Sequence, residues 1–482
     1  MNERFYRIGC LWKYIRSDMK KGLLQFGMLI LAVGFFAIPC NAAAPPLVWH
    51  EKQKSFDADI SRIELRDLLG KISTATGWEV YMEPGTSYST SAKFKDLSRG
   101  DALRMLLGNL NFEISPQSNS IPKLFVFRTG AGNATQLIRA EKRTLILGKD
   151  KVILNHLIVT LKPGSGVNIN ALAQQLGGKI IGKLEGADSY LMEFPDEAAT
   201  KAAREQLAHV SSVASVDANY AIDRPSPVKM AAVNGGSPFT LKANAGGGDG
   251  KQVIIGLIDT AVQQLNVNMQ SFLLPGLSVA GDANPGNDAP THGTAMAESM
   301  LFGLNSTASQ DQPTSVKILP RDPYGNDPST TTFAVANAIV SAVNGGANIL
   351  SLSFGGEGDS EFLANLIKQV SDKGIPIFAA AGNQPVTTPV YPAAYPGVVA
   401  VTSAQDRQGT IASYANRGSF VDIILPGATV VSYGGQSYYV NGTSVSTALA
   451  SGMLAGLADS TKRPPAQLLP TFRTSVAFRP PP

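Results

Sequence analysis

Apolar positions along the 482-residue chain fall into four stretches with different patterns. The first is a block, Gly22 to Pro39, centred on Leu29-Ile30-Leu31 and Phe35-Phe36. Basic residues end just before it at Lys20-Lys21, and the small run Asn41-Ala42-Ala43-Ala44 follows. These features predict an export signal over residues 1–42, cleaved near Ala42 or Ala43. The alternative is a retained anchor, since 18 apolar residues stand at the lower edge for spanning a bilayer.

The second stretch, residues 47–130, alternates helical and strand periods. Ser61-Arg62-Ile63-Glu64 reads as a capping box opening a helix with Ile63, Leu65, Leu68, Leu69 and Ile72. Gly77 ends it, and Trp78–Met82 alternates as a strand. The pattern repeats from Ser98-Arg99-Gly100-Asp101, through a helix with Ala102, Leu103, Leu106 and Leu107, to strands at Phe112–Ile114 and Leu124–Phe127. Residues 131–149 read as a polar linker. The third stretch, 150–222, reads strand, helix, strand, strand, helix, strand. Its strands lie near Leu157–Leu161, Lys179–Gly182, Tyr190–Phe194 and Val213–Val216. Residues 223–248 are rich in Pro, Gly and Ala and suit a cleavable linker.

In the fourth stretch, residues 249–482, continuous apolar runs alternate with helical segments such as Phe333–Val343 and Phe362–Gln369. Such runs suit strands buried on both faces, so the unit is expected to be α/β, a mostly parallel sheet with helices on both faces, preceded by two small α+β domains. The tail, with Pro464-Pro465 and Pro480-Pro481-Pro482, is expected to be irregular.

Charge changes the picture only at the start. Six of the 41 basic and two of the 37 acidic residues lie in 1–42, leaving 35 of each in the remainder. That balance gives no electrostatic footprint for nucleic acid. Both cysteines, Cys10 and Cys40, fall inside the leader, so the exported chain would carry no disulfide framework. No Cys/His cluster suits a structural zinc site, and no metal ligands are assigned.

The chemistry concentrates in the last stretch. Asn441-Gly442-Thr443-Ser444 precedes a helix of small residues, Val445 to Gly456. A serine at such a helix start faces unpaired backbone N–H groups and a positive dipole, yet needs a nearby base to become nucleophilic. Of four histidines, only His292 lies in the C-terminal half, in Thr291-His292-Gly293-Thr294. Upstream, Val253–Ile258 is an apolar run ending in Asp259, where a strand's carboxyl end would place a reacting group.

With Asp259, His292 and Ser444 in this order, and with Ala379-Ala380-Ala381-Gly382-Asn383, Ile349–Gly356, Tyr391–Pro396 and Asp422–Gly427 between them, the chain resembles the subtilisin-like serine peptidases over roughly 249–460. The resemblance implies a secreted endopeptidase acting through an acyl-enzyme, with Ser444 as nucleophile, His292 as base and Asp259 as its orienting carboxylate. It implies an oxyanion site at Asn383 and substrate-binding walls at Ser353, Phe354 and Gly355 and at Ala381 and Gly382. Calcium is common in that family, but no acidic loop here compels it, and no cofactor is assigned. Residues 150–222 resemble the family's inhibitory prodomain, implying a zymogen whose tail near Asp217–Ile222 enters its own cleft. Residues 47–130 resemble the short N-terminal domain of secretins and TonB-dependent receptors, implying an envelope protein partner and a Gram-negative periplasmic, outer-membrane-associated or extracellular location.

Departures from the pattern stand at Ala261, Ala295, Glu298 and Ala448. Ala261, where glycine is usual, would be strained if its φ were positive. Two other readings share these residues: a docking protein whose peptidase-like unit only binds peptide, and an esterase acting on small acyl substrates.

Overall fold

A computed structural model describes residues 46–475 apart from 116–121, 139–144, 185, 226–230, 234–238, 245–251, 282, 284 and 287. The expected leader therefore lies outside the described residues.

The N-terminal domain runs β1 (Leu47–His50), β2 (Ser55–Glu64), α1 (Leu65–Thr76), β3 (Glu79–Met82), β4 (Ser89–Ser98), α2 (Arg99–Leu107), β5 (Asn111–Ser115), β6 (Lys123–Phe127) and β7 (Gln136–Ile138). It has its own core, in which Phe56, Leu68, Leu69, Ile72, Leu103 and Leu106 are buried. The capping-box expectation fails at its first helix. Ser61–Glu64 belong to β2, paired antiparallel with β4, and α1 begins at Leu65 without a side-chain cap. Phe56, Ala58 and Ile60 bury alternate positions, and that two-residue period continues the strand past the serine. The second helix starts as expected, with the Ser98 side chain accepting from Asp101 N.

The expected linker 131–149 is not wholly linker. Within it, β7 pairs antiparallel with β3 and, through Gln136 and Ser278, parallel with β15 (Leu277–Ser278) of the catalytic unit.

The next domain comprises β8 (His156–Leu161), α3 (Ile169–Gln175), β9 (Lys179–Lys183), β10 (Ser189–Glu193), α4 (Glu197–Leu207) and β11 (Val213–Asp217). Its antiparallel sheet has the order β11-β8-β10-β9. Alternation on β8 divides its load. Leu157 and Val159 join the domain's own core, whereas Ile158 joins an apolar cluster shared with the catalytic unit. β12 (Ala221–Asp223) and β13 (Ala231–Val233) follow.

The catalytic unit contains β14 (Val253–Ile258), α5 (Val267–Gln270), β15, α6 (His292–Thr307), β16 (Val316–Asp322), β17 (Ser329–Thr331), α7 (Thr332–Asn344), β18 (Ile349–Leu352), α8 (Glu361–Asp372), β19 (Ile377–Ala380), β20 (Val398–Ala404), β21 (Ile423–Pro426), β22 (Ala428–Tyr433), β23 (Gln436–Asn441), α9 (Thr443–Thr461) and α10 (Pro465–Ser475). Strands β21-β20-β19-β18-β14-β16-β15 form a parallel sheet. α6 and α9 cover one face and α7 and α8 the other, as two-sided apolar strands require. The expectation of an irregular tail fails at Pro465, which opens α10; proline suits a first helical position because that N–H has no partner to lose.

Part of the expected 223–248 linker is also structural. Leu241 is buried in the catalytic core, and Asn244 N and Lys242 O bond Thr314 O and Thr314 N, each at 2.9 Å.

Candidate active site

Asp259 directly follows β14 at the carboxyl edge of the sheet and is almost wholly buried. His292 is the first residue of α6, and its Nδ1 lies 2.8 and 2.9 Å from the two Asp259 carboxylate oxygens. Glycine at 293 has a steric cause: a Cβ there would stand 2.0 Å from Thr260 O. The close approach lets Gly293 N donate to Thr260 Oγ1 at 2.8 Å, which fixes the helix start against the Asp259 turn. Thr291 caps α6, accepting from Thr294 N and donating to Ala261 O at 2.7 Å. Ala261 has no positive φ, so the substitution for glycine carries no backbone strain.

Ser444 is the second residue of α9, after Gly442, whose φ of 144° admits glycine and little else. Its N–H lies in the first turn, where backbone donors lack intrahelical acceptors. Ser444 Oγ donates to Ser353 O at 3.2 Å. Among the described residues no hydrogen bond joins it to His292. Asn383 is exposed beside this helix start. Its Oδ1 accepts from Thr443 N at 2.9 Å and Thr443 Oγ1 at 3.1 Å, so the amide NH₂ is the group left to donate. Gly382 N donates to Thr443 Oγ1 at 3.1 Å, tying the 381–383 wall to α9. Ser353, Phe354 and Ala381 are buried, and Gly355 and Gly382 are half-buried.

Sequence reasoning missed the residues that brace these groups. Gln263 receives Thr291 N (2.7 Å) and the Thr294 hydroxyl on its carbonyl oxygen and donates to Ala289 O, locking the loop before α6. Asn416, buried, accepts from Gln384 N at 2.8 Å behind Asn383. Neither sits in a motif that marks it.

Two buried carboxyls flank the site. Asp322 ends β16 next to Asp259; its Oδ1 accepts from Tyr324 N and Gly325 N, and its Oδ2 has no partner. Burial, with a smaller push from Asp259, raises its pKa to about 7 despite those backbone donors. Glu298, on α6, accepts from Ser432 N at 2.8 Å, and burial raises it to about 7 as well. Among the described residues, no group of three or more His, Cys, Asp or Glu is placed to hold a metal ion.

The preceding domain reaches this region. β12 pairs antiparallel with β17, and Asn219 Oδ1 accepts from Thr332 Oγ1 (3.0 Å) and Phe333 N (3.1 Å) at the start of α7. Arg224 donates to Gly325 O and Asp327 O with its guanidinium over the Tyr324 ring. β13 pairs antiparallel with β23, the strand that leads to Ser444.

A buried Asp–His pair at the carboxyl edge of a parallel sheet, together with a serine in the first turn of a helix packed against the histidine's own helix, fits a serine hydrolase. Comparison with known proteins sharpens this. The subtilase family model matches residues 250–466, and a fervidolysin N-terminal prodomain model matches 143–219. The chain is 33% identical to thermitase of Thermoactinomyces vulgaris over 223 residues, 45% of this chain and 77% of thermitase. It is 30% identical over 215 residues to a thermophilic serine proteinase of Bacillus sp. strain AK1, covering 44% of this chain and 53% of that one. The chain thus spans about half the length of the Bacillus proteinase. The crystal structure of fervidolysin from Fervidobacterium pennivorans superposes with a TM-score of 0.51 at 17% identity, covering 68% of this chain and 58% of that one, a likeness of fold. The chain belongs to the subtilase family, and by class it is a serine endopeptidase.

Proposed function

We propose that the chain is the zymogen of an exported subtilisin-like endopeptidase working through Asp259, His292 and Ser444. One observation carries the reading: the His292 Nδ1 contact with both Asp259 carboxylate oxygens, which presents Nε2 as the base. In the reaction, Ser444 Oγ leaves Ser353 O, gives its proton to His292 Nε2 and bonds the scissile carbonyl carbon. The Asn383 amide and Ser444 N–H take up the charge on the carbonyl oxygen. Collapse breaks the C–N bond, His292 returns the proton to the departing amine, and water releases the acyl group by the reverse sequence. Ser353–Gly355 and Ala381–Gly382 wall the pocket for the residue before the cut.

The prodomain acts as the inhibitor, with β12 lying along β17 as a substrate strand would. Since residues 239–244 pack into the catalytic core, the maturation cut falls after Asp223 and before Phe239. Protein or peptide is the substrate. The N-terminal domain serves an envelope partner in a Gram-negative periplasm, outer membrane or exterior, a reading that rests on its sequence resemblance.

A second reading, a docking protein with an inert site, draws on the Ser444 hydroxyl being turned to Ser353 O. A fluorophosphonate probe separates the two. Labelling and casein hydrolysis in the processed wild type, both lost in Ser444→Ala, support the enzyme; a processed chain that neither labels nor cleaves casein refutes it. Ester turnover without casein cleavage would point to an esterase. Mass spectrometry of the product tests the position of the cut.

A further inference from the structure

Arg224 follows β12, yet the catalytic unit holds both its backbone and its side chain. Its N–H donates to Pro328 O at 2.8 Å. Its guanidinium donates through Nε to Asp327 O at 3.0 Å and through Nη2 to Gly325 O. The guanidinium carbon lies 5.6 Å from the centre of the Tyr324 ring. The Tyr324 hydroxyl donates to Asp223 O at 3.3 Å. All these receiving groups belong to the turn 323–328 between β16 and β17.

The strand before Arg224 shows which side chains the catalytic unit reads. Ala221, Ile222 and Asp223 stand opposite Thr331, Thr330 and Ser329. Alternation sends every second side chain of such a strand to the same face. Ile222 is buried in the apolar cluster that holds Leu352, Tyr324 and Phe354. Asp223 is exposed and pairs with Lys151 of its own domain. Arg224 then returns to Tyr324. Tyr324 meets Phe354 edge to face with centroids 6.1 Å apart. Phe354 follows Ser353, whose carbonyl accepts from Ser444 Oγ. The turn therefore adjoins the wall that runs to the serine.

A guanidinium fits this turn where an ammonium does not. Its planar fork serves two carbonyls at once and offers a face to an aromatic ring, whereas lysine brings a compact point charge. The local charge agrees. Asp322 opens the turn and accepts from Tyr324 N and Gly325 N; burial raises its pKa, and the charge of Arg224 works against that rise.

We propose that the 323–328 turn is an arginine seat. With the prodomain gone, Tyr324, Gly325 O and Asp327 O take the guanidinium of a substrate strand, and the enzyme prefers an arginine two residues after an aliphatic one. The inference rests on the reading of β12 as holding the place of a substrate strand.

Two measurements test it. In the processed wild type, kcat/KM is compared for quenched fluorogenic peptides that copy residues 219–225 and share one tail, with arginine, lysine, citrulline or leucine at the position of Arg224. Arginine should exceed each of the others by about 30-fold or more. Equal turnover, or lysine as good as arginine, overturns the proposal. The second measurement needs no catalysis. In the uncut full chain carrying Ser444→Ala, Arg224→Ala empties the seat, and thermal unfolding is followed against ethylguanidinium and its neutral counterpart ethylurea. A saturable rise of about 2 °C is expected with ethylguanidinium alone, and none in the parent whose own Arg224 fills the seat. No rise, or an equal rise in the parent or with ethylurea, overturns the seat. Rescue without a peptide preference confines the contact to the prodomain and overturns the substrate preference. If neither the peptides nor casein is cleaved, the peptidase reading fails, and rescue alone decides whether the turn takes arginine. If Arg224→Ala fails to fold, the peptide series decides.

Discussion

Replacing Glu298 by Gln should stabilise the protein above neutral pH, although it removes a charged group bonded to the backbone. The sign follows from proton linkage. In the folded chain burial holds this carboxyl at about 7, against an ordinary 4.5. Its folded form therefore binds a proton more tightly than its unfolded form. The stability this confers is fully present below about pH 4.5 and is lost as pH rises through about 7. The gap between the two values corresponds to about 3 kcal/mol once both states are ionised. Glutamine retains a carbonyl to accept from Ser432 N, now at 2.8 Å from Oε2, and has no proton to lose. In a Ser444→Ala background, the Glu298→Gln chain should exceed its parent by about 3 kcal/mol at pH 8. The advantage should shrink to about 1 kcal/mol at pH 5 and vanish only below about pH 4. Guanidinium unfolding at pH 5, 6, 7 and 8, in buffers free of amines, measures it. Asp322, likewise raised to about 7, slopes both curves in the same direction, so their difference isolates Glu298. A difference that does not vary with pH, or a glutamine variant less stable at pH 8, would refute the reasoning.

Three other changes test the packing and the site. Gly452→Ala would place a Cβ 1.9 Å from Met300 O and 2.8 Å from Leu304 N. Those are backbone atoms, so α6 and α9 must part, at a cost of about 3 kcal/mol and a fall in melting temperature of at least about 6 °C; a calorimetric shift under about 2 °C contradicts this. Asn219→Ala removes the acceptor for Phe333 N and Thr332 Oγ1. It should weaken the prodomain's hold by about 2 kcal/mol, roughly 30-fold, and bring activity on sooner after dilution; an unchanged lag sinks the idea. Thr443→Val cuts the links from Thr443 Oγ1 to Asn383 and Gly382 N. The expected outcome in peptide hydrolysis is a kcat lowered about 10-fold or more with KM nearly constant; a raised KM at constant kcat would instead assign the threonine to substrate binding.

Much of the candidate site was legible because its signals are local. The apolar run of β14 ends at Asp259, and the small residues of α9 follow Ser444. Each depends on neighbours a few positions away, so their order along the chain survives without coordinates. The strand at Ser61–Glu64 was misread because a capping box and an alternating strand share the same four letters. Only pairing with β4, beyond an intervening helix and strand, decides between them.

Neighbouring residues were enough to specify the parallel α/β unit, the candidate reacting side chains and the folded segments before them, since periodicity and end signals are written in adjacent positions. Packing was needed to bridge the N-terminal sheet to β15 through β7, to bring Gln263 and Asn416 behind the site, and to bury Glu298 with one oxygen unpartnered. These features depend on which distant groups exclude water from one another. Burial and hydrogen-bond satisfaction are properties of the packed chain, and no window of sequence contains them.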